Sequence, residues 1–199
     1  MRKINEIFYS VQGEGCRAGI PSVFIRFSGC NLRCGFCDTS HEDGILMSDE
    51  EIFRTVKSFP APQVVLTGGE PSLHIDEKFI EGLKRETGKE IAIETNGTRE
   101  LPRGIDWVTV SPKIWMSAAG DAEIRVKRAD ELKVVDVNQD LTPYSELECV
   151  GKETVMLLQP CFVSDPEECK RNIARTVSRV LENPCWRLSL QTHRFIGVR

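Results

Sequence analysis

Residues 23–37 read VFIRFSGCNLRCGFC. The apolar run Val23 to Phe27 has the length and composition of a buried strand, and Ser28-Gly29 ends it. Three cysteines follow at once, Cys30, Cys34 and Cys37, spaced C-x3-C-x2-C. In a wound α/β sheet, a loop leaving the C-terminal end of a strand sits at the edge where ligands bind. Thiolates on one tight loop can each take a metal corner, and Asn31, Arg33, Gly35 and Gly29 let the backbone turn its N–H groups towards sulfur. These residues alone leave two chemistries open. One is a closed zinc site with His41 as fourth ligand, in a C-x3-C-x2-C-x3-H arrangement. The other is an iron–sulfur cluster with one iron open for chemistry.

Outward from this stretch, further apolar runs of strand length recur: Val64 to Thr67, Ile91 to Thr95, Trp107 to Val110, Leu132 to Val137 and Val155 to Leu158. Helical patterns lie between them. Ser48-Asp49-Glu50-Glu51 opens one as a capping box, with Ile52, Val56 and Phe59 on one face. A second runs from Asp76 to about Thr87 and stops at Gly88; a third spans roughly Pro166 to Glu182, with Pro184 beyond it. Glu100 to Gly104 is too short and contains a proline, so no helix is expected between Gly97 and Trp107. Such alternation predicts a mostly parallel sheet wound by right-handed crossovers. A complete eight-fold barrel needs about 250 residues. A truncated or modified (β/α) barrel fits 199 residues better, as one domain over 1–199.

The composition agrees with a compact α/β protein and removes other classes. Lys and Arg total 26 against 30 Asp and Glu, a net charge of −4, and the basic residues are scattered, so no nucleic-acid surface is indicated. No window approaches a membrane span, and the first thirty residues lack the pattern of a secretory signal, so a soluble, cytoplasmic protein is expected. Eight cysteines would suit a disulfide framework in a short secreted chain. In this setting metal binding is the better reading for the clustered three, while Cys16, Cys149, Cys161, Cys169 and Cys185 read as small apolar or incidental thiols.

Two further motifs bear on the cysteine loop. Phe36 precedes the last cysteine, and Thr67-Gly68-Gly69-Glu70-Pro71 closes a predicted strand. With the cysteine spacing, these make the chain resemble the radical S-adenosylmethionine (SAM) enzymes. The resemblance implies a [4Fe–4S] cluster on Cys30, Cys34 and Cys37 and SAM bound at the open iron. Phe36 and Asp38 would lie along the nucleoside. Gly68, Gly69 and Glu70 would receive the amino group, where a backbone without Cβ atoms allows close approach.

The flanks narrow the resemblance. Ser10 to Gly15 (SVQGEG), Phe24 to Phe27, Cys37-Asp38-Thr39, Ser111-Pro112-Lys113, Leu158-Gln159-Pro160 and Leu190 to His193 are similar to the 7-carboxy-7-deazaguanine synthase family. That family converts 6-carboxy-5,6,7,8-tetrahydropterin to 7-carboxy-7-deazaguanine with loss of ammonia, using SAM and Mg²⁺. By position, Gln12, Gly13, Glu14, Arg26, Thr67 and His193 would meet the pterin, together with the chain end at Arg199. Ser111, Lys113 and Gln159 would hold SAM, and Thr39 would bind Mg²⁺. Arg26, mid-strand between Ile25 and Phe27, faces away from both, where a buried guanidinium seeks a carboxylate. Glu14 and Arg26 are also expected to act in catalysis. His193, within Leu188 to Phe195, is expected on a strand. A flavodoxin-type electron donor and a homodimer are the implied partners. A glycyl-radical activating enzyme and a zinc module on Cys30, Cys34, Cys37 and His41 are the alternatives.

Overall fold

The computed structural model describes residues 1–35, 37, 41–114 and 122–199. Nine strands form one sheet among these residues: β1 (Arg2–Val11), β2 (Pro21–Phe27), β3 (Ile45–Met47), β4 (Gln63–Gly68), β5 (Glu90–Thr95), β6 (Trp107–Val110), β7 (Glu131–Asp136), β8 (Val155–Pro160) and β9 (Trp186–Leu188). Their order is β3-β1-β2-β4-β5-β6-β7-β8-β9. Pairing is parallel from β2 through β9, while β1 runs antiparallel to both β2 and β3. The two edge strands do not meet, so the sheet is an unclosed barrel of the expected kind.

The principal helices start where the sequence signals them. Helix α1 (Asp49–Lys57) begins at Ser48, whose hydroxyl accepts from Glu51 N while the Glu51 carboxylate accepts from Ser48 N. It ends at Lys57, so Phe59, expected on its apolar face, lies beyond it. Helix α2 (Glu77–Thr87) is capped by Asp76 and ended by Gly88 at φ +66°. After the four-residue turn α3 (Thr142–Ser145), helix α4 (Pro166–Glu182) matches its expected limits. No helix joins β5 to β6, as the proline-containing segment predicts. Among the described residues no helix is long and apolar enough to cross a membrane.

The parallel register sorts the strand residues into two faces. Ile25, Leu66, Ile93 and Val108 align across β2, β4, β5 and β6, and Val110 aligns with Leu132 on β7. They pack with Ile52 and Val56 of α1 and Phe79, Ile80 and Leu83 of α2 in one core. On the opposite face Arg26 aligns with Thr67, and Glu94 with Thr109 and Glu131; Lys133 and Gln159 follow on β7 and β8. The outer face is therefore apolar and covered by helices, whereas the inner face carries charge.

Three strands escaped the apolar-run criterion. β1 is long, but a register shift between Ile4 and Glu6 breaks its alternation. β3 and β9 are three-residue edge strands that leave Ile45, Leu46 and Leu188 exposed. His193 corrects an expectation. It lies on a short helix, α5 (Thr192–Ile196), not a strand. Thr192 N donates to Gly13 O at 2.8 Å and turns the chain out of extended geometry, and Gly197 ends the helix at φ +69°.

Candidate active site

The inner face and the loops at its C-terminal edge enclose a cavity of about 590 Å³. Cys30, Cys34 and Cys37 line it, as do Gly68, Gly69, Ser111, Lys113 and Gln159. Gln12, Gly13, Glu14, Arg26, Thr67, His193 and Arg199 belong to the same lining. Residues far apart in sequence thus share one chamber. Phe36, Asp38 and Thr39 lie outside the described residues.

The double glycine has a steric reason. Gly68 sits at φ +131°, and a Cβ there would strike the Phe27 carbonyl; a Cβ on Gly69 would strike the Gly29 carbonyl. Glycine at both positions lets the end of β4 press against the start of the cysteine loop. That loop is closed by Gly29 N donating to His41 O at 2.7 Å, and Leu32 N approaches Cys30 Sγ at 3.4 Å. Asn31 ties it to the turn after β5: its amide donates to Thr98 Oγ1 at 2.8 Å and accepts from Asn96 Nδ2 at 3.0 Å.

Glu70, expected beside the SAM amino group, lies fully buried behind the cavity wall. One carboxylate oxygen accepts from Ser72 N at 2.9 Å and Thr95 Oγ1 at 2.7 Å, and the other from Asn96 N at 2.7 Å. Glu70 thus braces Asn96, which braces Asn31 in the cysteine loop. In the sequence Asn31 reads only as a turning residue of the loop, and the role of Asn96, at a strand end, is left open, because an asparagine after a strand reads as an ordinary turn residue.

Gln12 to Arg17 form a plug held from several elements. Gly13 O accepts from Thr192 N and Oγ1, both at 2.8 Å, and the His193 ring packs where a Gly13 side chain would stand. Gly15 N donates to Ser189 Oγ at 3.2 Å, and Cys16 N to the Glu131 carboxylate at 2.8 Å. Ser189 Oγ in turn donates to Gln159 Oε1 at 2.9 Å. Plug and chain end are thereby fixed to each other.

Two charge clusters face the cavity. Glu6 accepts from Arg26 Nε at 2.9 Å and also pairs with the Arg199 guanidinium. The carboxylate that Arg26 was expected to seek is thus supplied within the chain. Deeper, Lys133 pairs with Glu14 and, at 3.0 Å, with Glu94. Gln12 Nε2 donates to Glu94 at 2.8 Å and Gln191 Nε2 to Glu14 at 2.7 Å. Burial alone would raise the Glu14 pKa, but the Lys133 charge, hydrogen bonds from Lys133 and Gln191, and the nearby His193 outweigh it and hold it at about 2. Burial would lower Lys133, but Glu14 and Glu94 push it above its ordinary value. Lys113 donates to Ser111 O and Oγ at 2.6 Å each, and burial depresses its pKa. Burial also raises the Cys30 and Cys34 thiols.

Among the described residues no three Cys, His, Asp or Glu side chains converge on a single ion position. In a cubane each thiolate binds a different iron. No disulfide competes for the cysteines. Three thiols on one cavity wall, with a glycine-thinned strand end beside them, fit a [4Fe–4S] cluster with room for a ligand at its fourth iron.

Comparison with known proteins agrees with this geometry. The family model of the Radical SAM superfamily matches residues 24–129. The 7-carboxy-7-deazaguanine synthase of Bacteroides thetaiotaomicron is 53% identical over 199 residues, covering all of both chains. The chain belongs to the 7-carboxy-7-deazaguanine synthase family. The synthase of Bradyrhizobium diazoefficiens is 39% identical, with 98% of each chain covered. The crystal structure of QueE from Escherichia coli superposes with a TM-score of 0.74 at 30% identity, covering 96% of this chain and 94% of that one. Membership of the Radical SAM superfamily implies a [4Fe–4S] cluster and SAM as cofactors. Within this family fold, the residues that sequence reasoning missed are Lys133, Glu6, Gln191 and the Glu70–Asn96–Asn31 brace. Lys133 had a usable signal: like Arg26, it is a lone cation inside an apolar strand, flanked by Leu132 and Val134.

Proposed function

We propose that this chain converts 6-carboxy-5,6,7,8-tetrahydropterin to 7-carboxy-7-deazaguanine with loss of ammonia, in deazapurine biosynthesis. The observation that carries the reading is one cavity lined both by the three cysteines and by Gln12, Gly13 and Glu14. Cys30, Cys34 and Cys37 hold the cluster, and Gly68, Gly69, Ser111, Lys113 and Gln159 hold SAM beside it. When bound, this pair supplies a 5′-deoxyadenosyl radical able to take hydrogen from C6 of the pterin.

The chain's own residues orient and enclose the substrate. Gln12 and Glu14 offer both donors and acceptors to the amide and amino edge of the ring. Arg26, with Thr67 aligned beside it on β4, meets the substrate carboxylate when Glu6 yields its place. His193, seated over Gly13, closes the pocket next to Glu14, and Arg199 completes its rim. Glu70 acts indirectly, by fixing the turn that supports the cysteine loop. The resemblance further assigns Mg²⁺ to Thr39, and Phe36 and Asp38 to the nucleoside. A flavodoxin-type donor, a homodimer and a cytoplasmic location complete the reading.

Anaerobic incubation of the reconstituted protein with carboxytetrahydropterin, SAM, Mg²⁺ and a low-potential reductant tests it. Mass analysis should show 7-carboxy-7-deazaguanine and released ammonia. SAM cleavage without either product would overturn the substrate assignment.

A further inference from the structure

We propose that Lys133 is a positioning residue that holds Glu14 and Glu94 as a matched pair of acceptors for the adjacent N–H donors of a 2-amino-4-oxopteridine ring. The inference rests on the functional reading above and deepens it. Its starting point is an arrangement that repulsion alone would forbid. Two carboxylates, one from the plug and one from β5, line the same cavity, and like charges so placed drive one another towards protonation.

Lys133 relieves that repulsion from beneath. Its side chain is 4% exposed, and its ammonium donates to Oε2 of each carboxylate. The Oε1 atoms are also oriented, by Gln12 on Glu94 and Gln191 on Glu14. Gln12 in turn accepts from Glu14 N at 3.2 Å, so the two carboxylates and two amides form one closed network. A carboxylate oxygen has two lone-pair positions, so each retains acceptor capacity while staying fixed. Two carboxylates and one ammonium leave this network with one net negative charge, suited to a ring edge rich in N–H donors and unsuited to an anion.

The remaining charges around the network agree with a positioning role. His193 approaches Glu14 from α5, and Lys113, from the segment after β6, repels Lys133. Lys133 nevertheless keeps its proton firmly, so it is no proton donor to substrate. It acts through the carboxylates. In its absence, burial would dominate the Glu14 equilibrium and bring protonation into the working pH range.

The test is equilibrium binding of pterin-6-carboxylate, the stable oxidised analogue, to reconstituted protein carrying Lys133→Met or Lys133→Arg, with KM and kcat measured alongside. Lys133→Met should weaken binding about 30-fold or more, with KM following, whereas Lys133→Arg should stay within about fivefold of wild type. The ratio of wild-type to Lys133→Met affinity should grow as pH falls from about 8 to about 6, over and above any dependence that His193 gives both proteins. Should Lys133→Met not fold, Lys133→Gln, which removes the charge but keeps both carboxylates, carries the same predictions. A neutral variant that binds within about threefold of wild type, with a pH profile parallel to it, overturns the inference. Wild-type protein that does not bind the pterin acid at all overturns the substrate reading itself.

Discussion

The two faces of the sheet are made from the same strands and obey different rules. On the outer face Ile25, Leu66, Ile93 and Leu132 are fully buried against helices and neighbouring strands. On the inner face, one residue along each strand, stand Arg26, Thr67, Glu94 and Lys133, all lining the cavity. Burial is complete outside and, Lys133 apart, partial inside, and the compensation differs. Outside, area removed from water stabilises the fold directly. Inside, each charge depends on a partner, because an unpaired buried ion costs several kcal/mol. Stability and recognition are thus separated by a single step along the chain.

The outer side carries charge too, as where Arg2 lies over Phe79 and pairs with Asp49, and a second cluster makes the sharpest contrast. Asp136 at the end of β7 is fully buried and pairs with Arg179 of α4; Arg175 lies 3.6 Å away, and Thr176 Oγ1 donates at 2.8 Å. This cluster pins a helix and does not line the cavity. Arg179→Met should therefore lower unfolding free energy by about 3–5 kcal/mol in urea titration, yet leave KM of the surviving folded protein unchanged. A selective rise in KM would break the division between faces.

Adjacent residues sharpen it further. Ile93→Ala should cost about 2–4 kcal/mol of stability through the cavity it leaves, with little effect on substrate affinity. Its neighbour Glu94→Gln should do the reverse. About tenfold in KM is expected, with stability within about 1 kcal/mol because Lys133 keeps Glu14. Equal effects from both variants would mean that the faces are not functionally distinct.

The last expected effect is confined to acid pH. The folded pKa of Glu14, about 2, lies below its ordinary 4.5, so its ion pair stabilises the fold fully above pH 4.5. That contribution is lost as pH falls from there through about 2. Glu14→Gln should therefore have a flatter stability profile than wild type in this window and a parallel one above it.

The fold was legible because the outer face supplies a steady apolar signal. Six strands and the three long helices follow from apolar runs, a capping box and the stop at Gly88. β3 and β9 were not legible, since three-residue edge strands bury too little to leave a pattern. The site was legible where a motif has a fixed local geometry, as in the cysteine loop and the Gly68-Gly69 turn. Its long-range partners were hidden. Glu6 meets Arg199 across nearly the whole chain, and Lys133 meets Glu14 only because β7 lies under the plug. A lone Lys or Glu carries no record of its partner's position. Glu70 shows the opposite failure: it sits within a recognisable motif, but its carboxylate serves neighbouring backbone and the Thr95 hydroxyl.

The central claim is that three thiolates on the cavity wall leave one iron of a cubane available to SAM. Mössbauer spectroscopy of anaerobically reconstituted protein, with iron near four per chain, tests it most directly. Addition of SAM should shift the signal of one iron in four and leave the other three as they were. A spectrum indifferent to SAM, or a colourless protein loaded with zinc, would contradict the account.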